Sequence, residues 1–296
     1  MFQYAAGLAL AHHHQTALKL DLSWFDSSDR KEHEHYGLNH FNIPEVFADR
    51  EECLAFMPKS LTRLQRWRFI LGKKLRLKPL TAGLESSGTY YFERRWGFNP
   101  LFWDLPSNTY LDGYFQNPTY FEGFENELRS RFSFQQPLSA GALVWSNKIQ
   151  SAFPSVFLHI RRTDYLQAQE FGPLTFDYYY RSLKELKDRL GAFTVFVFSD
   201  DVEAIQRELK LDLPHYFVKP DGKASSHEEL HLMSLCNHAI ISNSTFAWWG
   251  AWLNSSKEKI VVAPKPWHAD IDPQFRDLKP VPSSWLSIDR NGVSNF

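Results

Sequence analysis

Short apolar runs and amphipathic stretches alternate through the second half of the chain. Residues 156–160, 194–198, 215–218, 239–242 and 259–263 are apolar runs of strand length, the pattern of strands buried on both faces. Between them, residues 177–190, 201–209, 226–236 and 246–253 carry helical periodicity. Alternation of this kind predicts right-handed βαβ units and a parallel sheet. In such sheets ligands sit beyond the carboxyl ends of the strands.

The first half is less regular. Residues 4–14 read as a mostly apolar helix and 17–22 as a strand after it. A chain that opens inside a helix is unusual for an α/β domain, so a strand and a Gly-rich turn are expected ahead of Met1 in a longer form of the gene product. Residues 26–42 look like a polar loop, and 105–132 mix aromatic turns with a helix. Residues 61–77 form a basic amphipathic segment in which Leu61, Leu64, Leu71 and Leu75 share a stripe. That segment reads either as a solvated helix face packed on the core or as a contact for anionic lipid. The polar stretch 135–145 predicts a boundary, giving domains 1–145 and 146–296. The Pro-rich residues after Ala263 read as a returning tail.

Charge and composition remove several classes. With 33 Lys+Arg against 34 Asp+Glu, the chain has no global bias toward phosphate backbones, so nucleic acid is not an expected partner. A hydrophobic content of 43% with 23% charged residues is that of a globular protein. Aromatic residues reach 16%, enough for a thick core or for platforms that stack on flat rings. No apolar run is long enough to span a membrane, no export signal is visible, and Cys53 and Cys236 are too few for a disulfide framework. A cytoplasmic protein, peripheral at the inner membrane if the basic segment meets lipid, is the expectation.

Three strand-to-turn junctions carry candidate chemistry. The first is His159-Ile-Arg-Arg-Thr-Asp-Tyr165. Adjacent Arg161 and Arg162 at a strand end are costly to hold together unless anions neutralise them, and guanidinium forks bind phosphate oxygens in pairs. Asp164 is placed to pair with one of them. The second is Phe196-Val-Phe-Ser199-Asp200-Asp201, where a carboxylate either caps the next helix or meets the amide and amine edge of a base such as guanine. The third runs from Ile241 through Ser242, Asn243, Ser244, Thr245 and Phe246 to Trp248, Trp249 and Leu253. Hydroxyls and free N–H groups at a helix start form an anion site. Together the three turns describe a pocket for a pyrophosphate flanked by a flat ring.

These motifs resemble the inverting α-1,2-fucosyltransferases of glycosyltransferase family 11. The matches are HIRRTDY, FSDD and ISNSTFAWWGAWLN, supported by Met1–Gly7, residues 36–43 and Leu111-Asp-Gly-Tyr-Phe-Gln116, so the likeness runs over nearly the whole chain. HxRRxD by itself is shared with α-1,6-fucosyltransferases. The resemblance implies a GT-B-like α/β fold, with two Rossmann-like domains facing a cleft, and transfer of fucose from GDP-fucose to the 2-hydroxyl of a galactoside without a metal. It implies that Arg161 holds the β-phosphate while Arg162 and Asp164 fix that arrangement. His159, Tyr165, Ser199 and Asp200 or Asp201 would line the nucleotide pocket. Asn243, Ser244, Thr245 and Phe246 would meet the pyrophosphate side, and Gln3, His40, Trp248 and Trp249 the acceptor. Residues 1–145 would then be the acceptor-side domain and 146–296 the GDP-sugar domain. The acceptor would be a galactose-terminated oligosaccharide or a polyprenyl-linked glycan. Family members carry Gly-Gly-Leu-Gly-Asn-Gln ahead of Met-Phe-Gln, and often Gly where Thr163 stands.

Rival readings are weaker on the residues. His227-Glu-Glu-Leu-His231 matches the H-E-x-x-H zinc motif. No third ligand follows at metzincin or Glu spacing, and Ser226-x-x-Glu229 fits a capping box. Asp270-Ile-Asp272 has the DxD form of metal-dependent transferases but follows a Pro-rich loop rather than a strand. A nucleotide-sugar or glycan binder without turnover fits less well, because neutral sugars do not need two adjacent cations.

Overall fold

The structure is a computed structural model that describes residues 1–25, 36–56, 88–93, 97–163, 172–219, 226–269 and 278–291. The basic amphipathic segment, Asp164, Tyr165 and the DxD triplet lie outside the described residues. The chain forms two compact units: Met1–Ser133 with Gln274–Pro280, and Phe134–Pro273 with Val281–Phe296.

The first unit starts with helix α1 (Phe2–His13), in which Ala5, Ala6 and Ala9 are completely buried. Small side chains at these positions let the helix sit among aromatic neighbours, with Phe2 against Phe121 and Tyr4 against Phe132. Helix α2 (Arg50–Ala55) opens with a reciprocal Asp49–Glu52 capping box. The strand expected over 17–22 is reduced to one parallel bridge, Leu20 to Phe47. Its polar residues point into other contacts instead: Lys19 pairs with Glu52, and Asp21 accepts from the Tyr110 hydroxyl at 2.5 Å. An unanticipated parallel pair joins β1 (Thr89–Phe92), ahead of the aromatic turns, to β2 (Thr109–Asp112) within them, in register from Thr89–Thr109 to Phe92–Asp112. Helix α3 (Glu125–Arg131) closes this unit.

The second unit opens with α4 (Ala140–Ser151), whose N-cap Ser139 accepts from Ala142 N–H. Strands β3 (Ser155–Ile160), β4 (Thr194–Ser199), β5 (His215–Phe217), β6 (His238–Ile240), β7 (Val261–Lys265) and β8 (Leu286–Asp289) form one sheet. Its spatial order is β5-β4-β3-β6-β7-β8 and every neighbouring pair is parallel. Numbered within the unit this is 3-2-1-4-5-6, the order of a Rossmann sheet, with its reversal between β3 and β6. The intervening helices are α5 (Phe176–Leu190), α6 (Val202–Glu208), α7 (Ser226–Leu235) and α8 (Thr245–Leu253). The expected α/β class with parallel sheets is therefore present in both units.

The central strands read as continuous apolar runs because both faces are covered: Val156, Phe157, Leu158, Val195, Phe196 and Val197 are fully buried. Helix α5 lays Tyr178, Tyr179, Leu183 and Leu186 on this core. Helix α8 crosses α7 closely, since a Cβ at Gly250 would stand 3.0 Å from Met233 Cβ. The Pro-rich tail after Ala263 ends in β8, which adds a sixth strand at the sheet edge.

Candidate functional site

The site grows from the sheet's reversal point. Strand β3 ends at His159-Ile160, strand β6 ends two residues before Ser242, and the two strands are hydrogen-bonded neighbours. A crevice opens beyond the carboxyl ends of adjacent strands where connections leave in opposite directions. At that point His159 Nδ1 lies 2.9 Å from Ser242 Oγ, with both residues buried. Burial, and then the positive charge of Arg161, push the imidazole down to about 4, so the ring is neutral at physiological pH. Beneath Ser242, the fully buried Tyr178 hydroxyl donates to the Ile241 carbonyl at 2.8 Å. The turn is thereby tied to helix α5.

Asp200, just past the end of β4, organises the arginine turn. Its Oδ1 accepts from Arg162 N–H at 2.9 Å and its Oδ2 from Thr163 N–H at 3.0 Å. The Thr163 hydroxyl also donates to Oδ2, and Arg161 Nε lies 3.3 Å from it. A carboxylate accepting backbone N–H groups holds a turn with charge-assisted bonds. The two arginines are set apart by their partners. Arg162 makes a two-pronged contact with Glu208, at 2.6 and 2.9 Å, which raises its own pKa and lowers that of the carboxyl. Arg161 keeps a side chain that is 27% exposed above the crevice end of β3.

Asp201 is the N-cap of α6, accepting from Ala204 N–H at 3.1 Å, and its own N–H donates to Ser199 Oγ. Of the two carboxylates expected to meet a base edge, one therefore fixes the turn and the other starts a helix. A third carboxyl, feeling the charges of Asp200 and Arg161, enters the sequence reading only through the H-E-E-L-H and capping-box patterns. Glu229 on α7 is pushed up to about 7, by burial first and then by the charge of Asp200, against the opposing pull of Arg161. The signal existed in the sequence as the third residue of H-E-E-L-H, but the capping-box pattern gave it a sufficient local role.

The third junction is a strand, a short turn and a helix, as its pattern predicts. Asn243 and Ser244 are buried, and Ser244 is the N-cap of α8 without a side-chain cap bond. The first-turn N–H groups, which no helix satisfies internally, thus receive no side-chain acceptor from the N-cap at the end where the dipole is positive. At the other end Lys259 Nζ donates to the carbonyls of Ala251 and Asn254, at 2.9 and 2.6 Å. Phe246 sets its ring 6.1 Å from that of His159.

Trp248 and Trp249 do not stand where an acceptor would meet them. Trp248 is fully buried and Trp249 nearly so. Trp248 stacks on Trp252 at 6.3 Å and tilts against Trp285 at 5.4 Å. Their role in this conformation is to pack α8, as helical spacing and large apolar area favour. Gln3 and His40 belong to the other unit, Gln3 exposed on α1 with its amide donating to Gly113 O at 2.8 Å, and His40 in a short 3-10 turn. The H-E-x-x-H helix is occupied otherwise: Glu228 accepts from Ser139 N–H at 2.6 Å, and His231 packs on Phe134 with centroids 4.3 Å apart. Among the described residues, no group of three or more His, Cys, Asp or Glu could hold a metal ion, and no helix is long and apolar enough to cross a membrane.

Comparison with known proteins places this geometry in a lineage. The profile of glycosyl transferase family 11 matches residues 89–280, which include every junction of the crevice. The chain is 30% identical over 281 residues to the O-antigen biosynthesis glycosyltransferase WbnK of Escherichia coli, covering 91% of each chain. It is 29% identical to an Escherichia coli alpha-1,2-colitosyltransferase, over 98% of this chain and 95% of that one. Galactoside alpha-(1,2)-fucosyltransferase 1 of Saimiri boliviensis boliviensis is 27% identical over 48% of this chain and 42% of its own. With its arginine turn, its hydroxyl corner and the profile that spans them, this chain belongs to glycosyltransferase family 11.

Proposed function

We propose that this glycosyltransferase moves L-fucose from GDP-fucose to the 2-hydroxyl of a terminal β-galactoside, with inversion and without a metal ion. The observation that carries the reading is the meeting of the His159–Thr163 turn and the Ser242–Thr245 corner at the sheet's reversal, with the Arg161 side chain on the first of them partly exposed. Breaking a sugar–phosphate bond puts negative charge on the departing diphosphate and positive charge on the sugar ring. Fixed cations and N–H dipoles answer the first without reorganising during reaction. Arg161 would meet the β-phosphate, with Ser244, Thr245 and the open N-terminus of α8 beside it. Arg162, tied to Glu208, would hold the turn's shape and leave the charge contact to its neighbour.

The base edge goes to Glu229. Asp200 and Asp201 are committed to the turn and to the helix cap, whereas Glu229 sits near Arg161 with a pKa close to neutrality. Once ionised, that carboxylate can accept from the amide and amine N–H groups of the guanine edge. Asp164 is the candidate for accepting the acceptor's proton, on the resemblance of its motif. The acceptor would be an oligosaccharide or polyprenyl-linked glycan, met in the cytoplasm or at the inner face of the membrane.

A second donor is favoured by one observation: the colitosyltransferase aligns over 98% of this chain, the fucosyltransferase over 48%. GDP-colitose would meet the same diphosphate site and differ only at the sugar. The deciding experiment follows GDP release with lactose as acceptor, with each donor in turn and in the presence of a chelator. Chelator-resistant release with GDP-fucose, lost by about a hundredfold or more in Arg161→Ala, is expected if two charge-assisted bonds are removed. Turnover with GDP-colitose alone would transfer the reading to that donor, and unimpaired turnover by the Arg161 variant would end it.

A further inference from the structure

A lone exposed aromatic side chain ordinarily means nothing. Tyr114 differs in how it is held. It follows β2, at the carboxyl end of the parallel β1–β2 pair. The turn on which it stands is fixed from below by Glu93, a carboxylate only 4% exposed, whose Oε2 accepts from both Tyr114 N–H and Phe115 N–H, at 2.8 and 2.9 Å. Phe115 is driven into the left-handed region, at φ +51°, and its ring is buried against Tyr91, Phe102 and Tyr120. Gly113 admits no side chain, because a Cβ there would stand 2.4 Å from Glu93 Cβ. Gln3 closes the turn from the side by donating to the Gly113 carbonyl.

Burying a carboxylate and placing a non-glycine residue at positive φ both work against stability, and such features persist where the surroundings over-determine them at functional sites. The backbone of the turn is pinned, and Tyr114 on it is 54% exposed. A rigid backbone carrying an outward aromatic ring binds without first paying to order it.

We infer that Tyr114 is a stacking platform for a pyranose ring of the glycan acceptor, with Gln3 Oε1 beside it to accept from a sugar hydroxyl. The inference rests on the transferase reading for the ligand's chemical class, and it assigns the acceptor a contact in the first unit. A flat ring face with C–H groups matches the apolar face of a galactopyranoside, while the phenol hydroxyl and the Gln3 amide oxygen meet its rim.

The test is saturation-transfer NMR titration of the whole chain with a panel of galactose-terminated glycans, run beside GDP titration. Tyr114→Ala is expected to weaken glycan binding by about tenfold. Tyr114→Trp should retain it to within about threefold, and GDP affinity and melting temperature should stay at parental values in both. If the Ala variant binds every glycan as the parent does, or the parent shows no transfer to any glycan on the panel, the platform is overturned. Glycan binding that depends on Tyr114 in a chain that fails to bind GDP would support the platform and overturn the donor reading instead.

Discussion

Asp200→Asn changes one charge and almost no volume, and it reaches the centre of the crevice. In the parent, Oδ1 accepts from Arg162 N–H while Oδ2 gathers Thr163 N–H, the Thr163 hydroxyl and Arg161 Nε. An amide has one acceptor oxygen. Turned toward the Thr163 cluster, it presents its NH2 to Arg162 N–H, and turned the other way it presents the NH2 to three donors. One bond is lost in the better arrangement, and the others fall from charge-assisted strength, about 1.5–3 kcal/mol, to neutral strength, about 0.5–1.5 kcal/mol. The side chain is only 15% exposed, so water replaces little of this. The sum is on the order of 3 kcal/mol against the organised turn, equivalent to roughly a hundredfold in an affinity that requires it. Isothermal titration with GDP should show that weakening. Carboxyl NMR should show the Glu229 pKa falling from about 7, because the charge of Asp200 helps hold it there. An Asp200→Asn variant with parental GDP affinity and an unmoved Glu229 titration would refute the claim that this carboxylate organises the site.

Glu229 also predicts a pH dependence. Its folded pKa, about 7, lies above the ordinary 4.5, so between those values the folded chain holds a proton that the unfolded chain has released. Stability from this group is complete below 4.5, falls as pH rises, and levels off above 7. The full loss is on the order of 3 kcal/mol. Chemical denaturation of Glu229→Gln and parent at pH 5, 6, 7 and 8 should show the variant gaining steeply on the parent up to pH 7 and only slightly between pH 7 and 8, and parallel curves would contradict the raised pKa. Trp248→Ala should cost about 3–5 kcal/mol of stability through the cavity left among Trp249, Trp252 and Trp285. A variant that melts like the parent but binds acceptor poorly would restore Trp248 to the acceptor side.

Much of the second unit is legible from local pattern. Apolar runs such as Val156–Leu158 have no strand-breaking residues and no exposed face, so a buried parallel strand is the arrangement that satisfies them. The position of HIRR, SDD and SNST at strand ends follows from the same reading. The edge strand Leu286–Asp289 is different: half its residues are exposed, and its conformation comes from pairing with β7, which local sequence does not encode. The β1–β2 pair is short too, and its partners, from Thr89–Thr109 to Phe92–Asp112, come together from positions distant in sequence.

Residue types at the three junctions by themselves set the expectation of an anion site flanked by aromatic rings, since paired guanidinium groups and a hydroxyl-bearing helix start have few other uses in a parallel sheet. Which partner each charge takes was decided only by tertiary structure. Arg162 goes to Glu208, Arg161 and the backbone to Asp200, and Glu229 arrives from another helix with its pKa raised by burial. Trp248 was withdrawn from the surface by packing among Trp249, Trp252 and Trp285, and the turn that carries Tyr114 was fixed by the buried carboxylate of Glu93, distant in sequence. Electrostatic pairing and burial depend on distances between elements, and those distances exist only after the chain has packed.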